Sequence, residues 1–184
     1  MPAKTTTTAT ATTTTTTNPR LAAQVAAVNR CNAAAVALTP AARTAAAQFD
    51  GAKVRTKAGE TAKRFAAAVM EAIATAHGAT YSGRYGRTAD GVQFWLETST
   101  ASVWLHFKAC ETANGIASYH NTGEYLGGLD AAGTLAAKPE AQEQYSPHRR
   151  ADWTPAEVEE LRRLAREAEE AARDARGALG PFGE

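Results

Sequence analysis

Cysteine and methionine each occur only twice, isoleucine only at Ile73 and Ile116, and no acidic residue precedes Asp50. Each scarcity excludes something. Two cysteines, Cys31 and Cys110, cannot build a disulfide framework, and each reads as a small buried hydrophobe of a reducing compartment. Met1 to Asn18 has no apolar h-region, so it is not a secretory signal, and a cytoplasmic protein is expected. The run from Leu21 to Leu38 is interrupted by Gln24, Asn29, Arg30 and Asn32, and its small side chains make a weak span, so no membrane partner is expected. Leu, Ile, Val and Phe together fall below the roughly 20% of a well-filled globular chain. More than half of the 44% hydrophobic content is alanine, which supports helix at little entropic cost but buries little area.

Chemistry-bearing motifs are equally scarce. Neither G-x-x-x-x-G-K-[ST] nor G-x-G-x-x-G occurs, which removes the common phosphate-cradling loops. The core strands hold no paired carboxylates, and Glu159-Glu160 and Glu169-Glu170 sit on the solvated face of a charged helix. The spacing of His106, Cys110 and His120 matches no familiar zinc pattern, so neither a metal nor a cofactor is expected. Cys110 with either histidine as a nucleophile–base pair lacks an oxyanion donor and an orienting carboxylate. The expectation is a non-enzymatic binding protein.

What is present is an organisation. Residues 1–18 form a threonine tract with nothing to bury, expected to be a disordered tail. Residues 19–52 read as an Ala-rich helical segment of two helices, broken where Thr39 caps and Pro40 opens a new first turn. Residues 53–127 read as an α+β core domain and the only region able to bury a real interior, 128–152 as a linker, 153–178 as a C-terminal helix and 179–184 as a tail.

Within the core, Ala62, Phe65, Ala66, Val69, Ile73 and Ala76 recur at helical spacing and predict a helix over about 57–77, stopped by Gly78. The period then becomes two. Val92, Phe94 and Leu96 alternate with Gln93, Trp95 and Glu97, and Val103, Leu105 and Phe107 with Trp104, His106 and Lys108. Asp90-Gly91 predicts a two-residue hairpin turn that sets Arg87 opposite Phe94 and Tyr85 opposite Leu96. A weaker strand is expected from Ile116 to His120. The fold class is therefore α+β: a helix packed on a three- to four-stranded antiparallel sheet, flanked by Ala-rich helices and a long C-terminal amphipathic helix.

That last helix opens on Trp153-Thr154-Pro155-Ala156-Glu157, a capping box with proline at the first helical position. Followed by Val158 and Leu161, these letters resemble the opening of a Myb-like or SANT-like repeat over about a dozen residues, and a capped amphipathic helix produces the same letters. Oligomerisation through this helix is one expectation.

The alternation defines the one constellation that suggests a function. Opposite the hydrophobic face lie Ser82, Arg84, Gly86, Gln93, Trp95, Glu97, Trp104, His106 and Lys108, and Arg87 with Lys53, Arg55 and Lys57 extends a basic track. Between Lys53 and Lys108, basic residues outnumber acidic ones about two to one, while the whole chain carries +1. Aromatics beside cations on a sheet suit stacking of bases and holding of phosphates. Arg84, Arg87, Trp95, Trp104, His106 and Lys108 are thus the candidate residues for nucleic acid or a protein partner. The alternative is an assembly subunit, of a phage-type structural or inhibitory kind, using the same tryptophans or the terminal helices. A bland reading stands beside both: a spare Ala-rich helix covers the face and the tryptophans are ordinary core.

Overall fold

Alanine decides the first element. In the computed structural model, which describes residues 19–55 and 59–138 and seven positions between Ala156 and Asp174, helix α1 spans Pro19–Ala47 in one piece of 29 residues. The expected break at Thr39-Pro40 is absent. Pro40 lacks the N–H that would serve the Val36 carbonyl, but Val36 is 57% exposed, so water can take that carbonyl. The buried Thr39 hydroxyl donates to the Ala35 carbonyl at 2.5 Å.

The face made by Ala27, Cys31, Ala34, Ala35, Leu38, Ala42, Ala45 and Ala46 is buried in the main hydrophobic cluster. The interior thus begins in α1, upstream of the 53–127 span. Methyl-sized side chains bury little each, but they let the helix lie close to its partners. By length and composition α1 could cross a membrane, yet half of its most apolar window is buried inside this fold.

Helix α2, Glu60–His77, follows the expected stripe, with Phe65, Val69, Met70 and Ile73 buried. Gly78 ends it in the left-handed conformation, φ 62°. Phe65 receives Phe49 edge-on at 5.3 Å between ring centroids, which joins the segment after α1 to α2.

The sheet has six antiparallel strands in sequential order, not three or four: β1 (Thr80–Tyr81), β2 (Gly86–Arg87), β3 (Gln93–Thr98), β4 (Ser102–Ala113), β5 (Ile116–Leu129) and β6 (Leu135–Ala137). Three causes account for the difference. The turn closed by the Ser82 amide on the Tyr85 carbonyl at 3.1 Å divides the arm that leads into the Asp90-Gly91 hairpin into two strands, β1 and β2. Asn114 and Gly115, both at positive φ, make a two-residue turn that continues β4 into a fourteen-residue β5. Lastly, β6 forms inside the stretch expected as linker. Its free side is taken by the segment after α1: the Gly51 amide bonds the Leu135 carbonyl at 2.7 Å and the Leu135 amide bonds the Ala52 carbonyl at 2.9 Å.

Register differs by one residue at the first long hairpin. Arg87 pairs with Gln93 and Gly86 with Phe94. Only Gly91 of the Asp90-Gly91 pair has positive φ, so the connection is a three-residue loop with the glycine in the left-handed position. Thr88 closes it: its amide bonds the Val92 carbonyl at 2.9 Å, its hydroxyl accepts from the Val92 amide at 2.9 Å, and it also contacts the Asp90 carboxylate. The shift moves Gly86 to the inner face and Arg87 to the outer one.

From β3 to β4 the expected faces hold: Phe94 pairs with Phe107, Leu96 with Leu105 and Thr98 with Val103, all toward the helices. A bulge where the pairing skips Leu126 turns both Leu126 and Gly127 inward and helps the sheet curl. The tail 1–18, the segment 139–150 and most of the helix expected over 153–178 lie outside the described residues. The seven described positions of that last region have helical backbone and are exposed.

Candidate functional site: the outer face of the sheet

Both helices pack on the inner face, so among the described residues nothing covers the outer one. Cross-strand pairing arranges its side chains in rungs. One rung is polar and basic: Arg87 opposite Gln93, Gln93 opposite Lys108, Lys108 opposite Asn121. The next holds Trp95, His106 and Gly123, and the third holds Glu97, Trp104 and Tyr125. Successive rungs lie two residues apart along each strand, about 7 Å.

The rings form a continuous row. Arg84 sits over the Tyr85 ring at 5.2 Å, and Tyr85 meets Trp95 edge-on at 6.2 Å. Trp95 stacks on His106 at 5.5 Å with 16° between planes. His106 lies 6.4 Å from Trp104, which meets Tyr125 edge-on at 5.4 Å. Gly123 makes room for this: a methyl there would press on the His106 ring, at 3.2 Å, and touch Trp104 at ordinary contact distance. The row is oriented by polar contacts at its margin. The Trp104 indole N–H donates to the Ser102 hydroxyl at 2.8 Å, and the His106 Nε2 meets the Glu97 carboxylate at 3.0 Å. Beyond the basic rung, Lys108 lies 5.1 Å over the Tyr119 ring.

All six sequence-predicted residues reach this face or its margin. Trp95, Trp104, His106 and Lys108 share it through β3 and β4. Arg87 joins through the one-residue register difference, and Arg84 stands in the β1–β2 turn. Trp104 is exposed and Trp95 half-buried. Lys53 and Arg55 do not extend the basic track. They run beside the Ala131–Thr134 loop, where Arg55 donates to the Ala132 carbonyl at 2.8 Å. Lys57 lies outside the described residues.

Tyr85, Tyr119 and Tyr125 were missed by sequence reasoning. The alternation Tyr119, Asn121, Gly123, Tyr125 carries the signal for two of them, and it becomes legible only with Asn114-Gly115 as the turn that starts β5. The histidines and cysteine do not converge: His106 and Cys110 face outward on β4, while His120 pairs with Ala109 on the inner side. Among the described residues no three His, Cys, Asp or Glu side chains are grouped to hold a metal ion.

Chemically, the face offers ring surfaces for stacking, three cations for an anionic backbone and one carboxylate. Searches of protein families, of curated proteins and of solved structures found no match to this chain.

Proposed function

We propose that the outer face binds single-stranded nucleic acid, with bases stacked on the Tyr85–Trp95–His106–Trp104–Tyr125 row and phosphates held by Arg84, Arg87 and Lys108. The carrying observation is the adjacency of that open ring row to a basic rung one step away. A step of about 7 Å is the scale separating a base from its backbone phosphate, so one nucleotide can use both rungs at once. Stacking is sequence-tolerant, because every base has a π-face.

A protein partner on the same face is the second reading. Trp104, exposed beside the Glu97 carboxylate, favours it, since a tryptophan anchor within a polar rim is the pattern of an interface hot spot.

Titration with oligo(dT), read by tryptophan fluorescence, tests both. Quenching is expected. Trp95→Ala should weaken binding by about 1–3 kcal/mol with the fold intact. Arg87→Ala and Lys108→Ala should each reduce the salt slope by about one. If no oligonucleotide quenches the tryptophans at low salt, the nucleic-acid reading fails.

A further inference from the structure

The sheet has two kinds of open edge. Beyond the start of β3, the β4 stretch Ala109–Ala113 has, among the described residues, no strand on the side away from β5, but Arg30 from α1 guards it. Its guanidinium donates to the Cys110 carbonyl at 2.6 Å and the Asp90 carbonyl at 2.7 Å, and pairs with the Glu111 carboxylate at 2.9 Å. On the other side, β6 covers β5 only at Gly127–Leu129, and the Lys138 amide takes the Leu126 carbonyl. Among the described residues no strand pairs with the side of β5 turned away from β4 between Ala117 and Tyr125. That stretch contains no Lys, Arg or Pro, and its pairing with β4 is regular until Tyr125. Between Ala117 and Gly123 this edge has no charge, proline or bulge to protect it; the inward Glu124 and the bulge at Leu126 lie only at its far end.

Hydrogen-bond alternation says which groups the edge presents. Asn114-Gly115 is a two-residue turn closed by Ala113 and Ile116, and the residues closing such a turn bond each other. Counting from Ile116, the main-chain groups of Ser118, His120, Thr122 and Glu124 point at β4. Those of Ala117, Tyr119, Asn121, Gly123 and Tyr125 point outward. The set is centred on Asn121.

We propose that the chain forms a two-fold dimer by antiparallel pairing of β5 with β5 of a second copy, Asn121 against Asn121. This register uses every outward group. It sets Tyr119 opposite the glycine at 123 of the second copy and Tyr125 opposite the alanine at 117, so each large ring meets a small partner on the outer face. No like charges oppose each other: Glu124, the one charged residue of the stretch, faces Ser118. Thr122, whose buried hydroxyl has no hydrogen-bond partner among the described residues, faces His120. The two sheets join into one, and the second copy's Tyr119 ring arrives beside His106 and Trp104, lengthening the ring row. The dimer does not depend on what that face binds.

Sedimentation velocity on the full chain across a range of concentration tests the proposal, with hydrogen exchange alongside. The expected result is a dimer in which the amides of the five outward residues are protected. Asn121→Pro removes an outward N–H that β4 does not use, and Tyr119→Lys puts a charge on a side chain that is 54% exposed. Each should raise the dimer dissociation constant by about 100-fold or more and expose those amides, with unchanged circular dichroism. Should Asn121→Pro fail to fold, Tyr119→Lys decides alone. A wild-type monomer overturns the proposal, whether its edge amides exchange freely or are protected by the chain's own residues. So does a dimer that both substitutions leave intact. Loss of oligonucleotide binding in an intact dimer would count only against the nucleic-acid reading.

Discussion

Replacing Gly86 with alanine sets two effects against each other. Gly86 does not use positive φ, so alanine would ordinarily stabilise by restricting the unfolded chain, by about 0.4–1 kcal/mol. The new methyl would instead fall inside the ring of Phe94, its partner on β3. Phe94 is fully buried with Phe107 directly across on β4, so the ring has little room to swing away. Overpacking of this kind costs about 1–3 kcal/mol, which outweighs the entropic gain. The loss has a ceiling, because β2 holds β3 by only two residue pairs and can lift off the sheet without unfolding it. Phe94→Ala alone should cost about 3–5 kcal/mol as a cavity. In that background the Gly86 methyl enters the space the ring left, so Gly86→Ala should become neutral or stabilising. Urea unfolding of the four proteins gives the coupling, expected at about 1–3 kcal/mol and favourable. Additivity within about 0.5 kcal/mol would show that the Phe94 ring does not lie over Gly86, and the register derived for β2 would be wrong.

Pro40→Ala should raise the melting temperature, because it restores a helical N–H on the exposed side of α1, with a ceiling of about 3 kcal/mol. No gain would mean that the helix bends there for a reason its exposed surface does not show. Cys110 should react with a thiol reagent at pH 8 in the folded protein and Cys31 only after denaturation, since burial pushes the Cys31 thiol up to about 11. The linkage follows: from the ordinary value of 9.0 up to about 11 the unfolded thiol ionises and the folded one does not. Cys31 therefore lowers stability as pH rises through that window, and Cys31→Ala should flatten the alkaline limb of a stability–pH curve. Two equally fast thiols would refute the placement of α1.

The parts legible in the sequence are those where one periodicity is strong. The α2 stripe ending at Gly78 and the faces of β3 and β4 follow from apolar spacing alone. The illegible parts have local signals that contradict or hide their outcome. Pro40 reads as a break, and only the exposure of Val36 in the packed structure shows why it is tolerated. Leu126 and Gly127 both turn inward at a bulge, which defeats a period-two reading of β5. Leu135–Ala137 is too short to carry a pattern and becomes a strand because β5 and the segment after α1 flank it. At the candidate site, four of the six residues follow from simple alternation, and Arg87 required the loop length at Gly91. The tyrosines required the full extent of β5.

The helix that opens the fold has a consequence for how the chain reaches it. Each strand can find its neighbour through a short turn, so the sheet can assemble by successive local hairpins. Apart from α2, the partners of α1 come much later: Arg30 bonds groups 60 and 80 residues away, Arg43 meets Glu124 81 residues away, and the Ser118 hydroxyl donates to the Arg20 carbonyl across 98. During synthesis α1 precedes the other described elements, and although α2 follows closely, the α1 contacts with β4 and β5 must wait until those strands are complete. Closing those long loops sets a slow last step, and an exposed apolar helix invites association while it waits. A face of alanines, rather than leucines, offers less sticky surface during that interval and still fits closely once the sheet arrives.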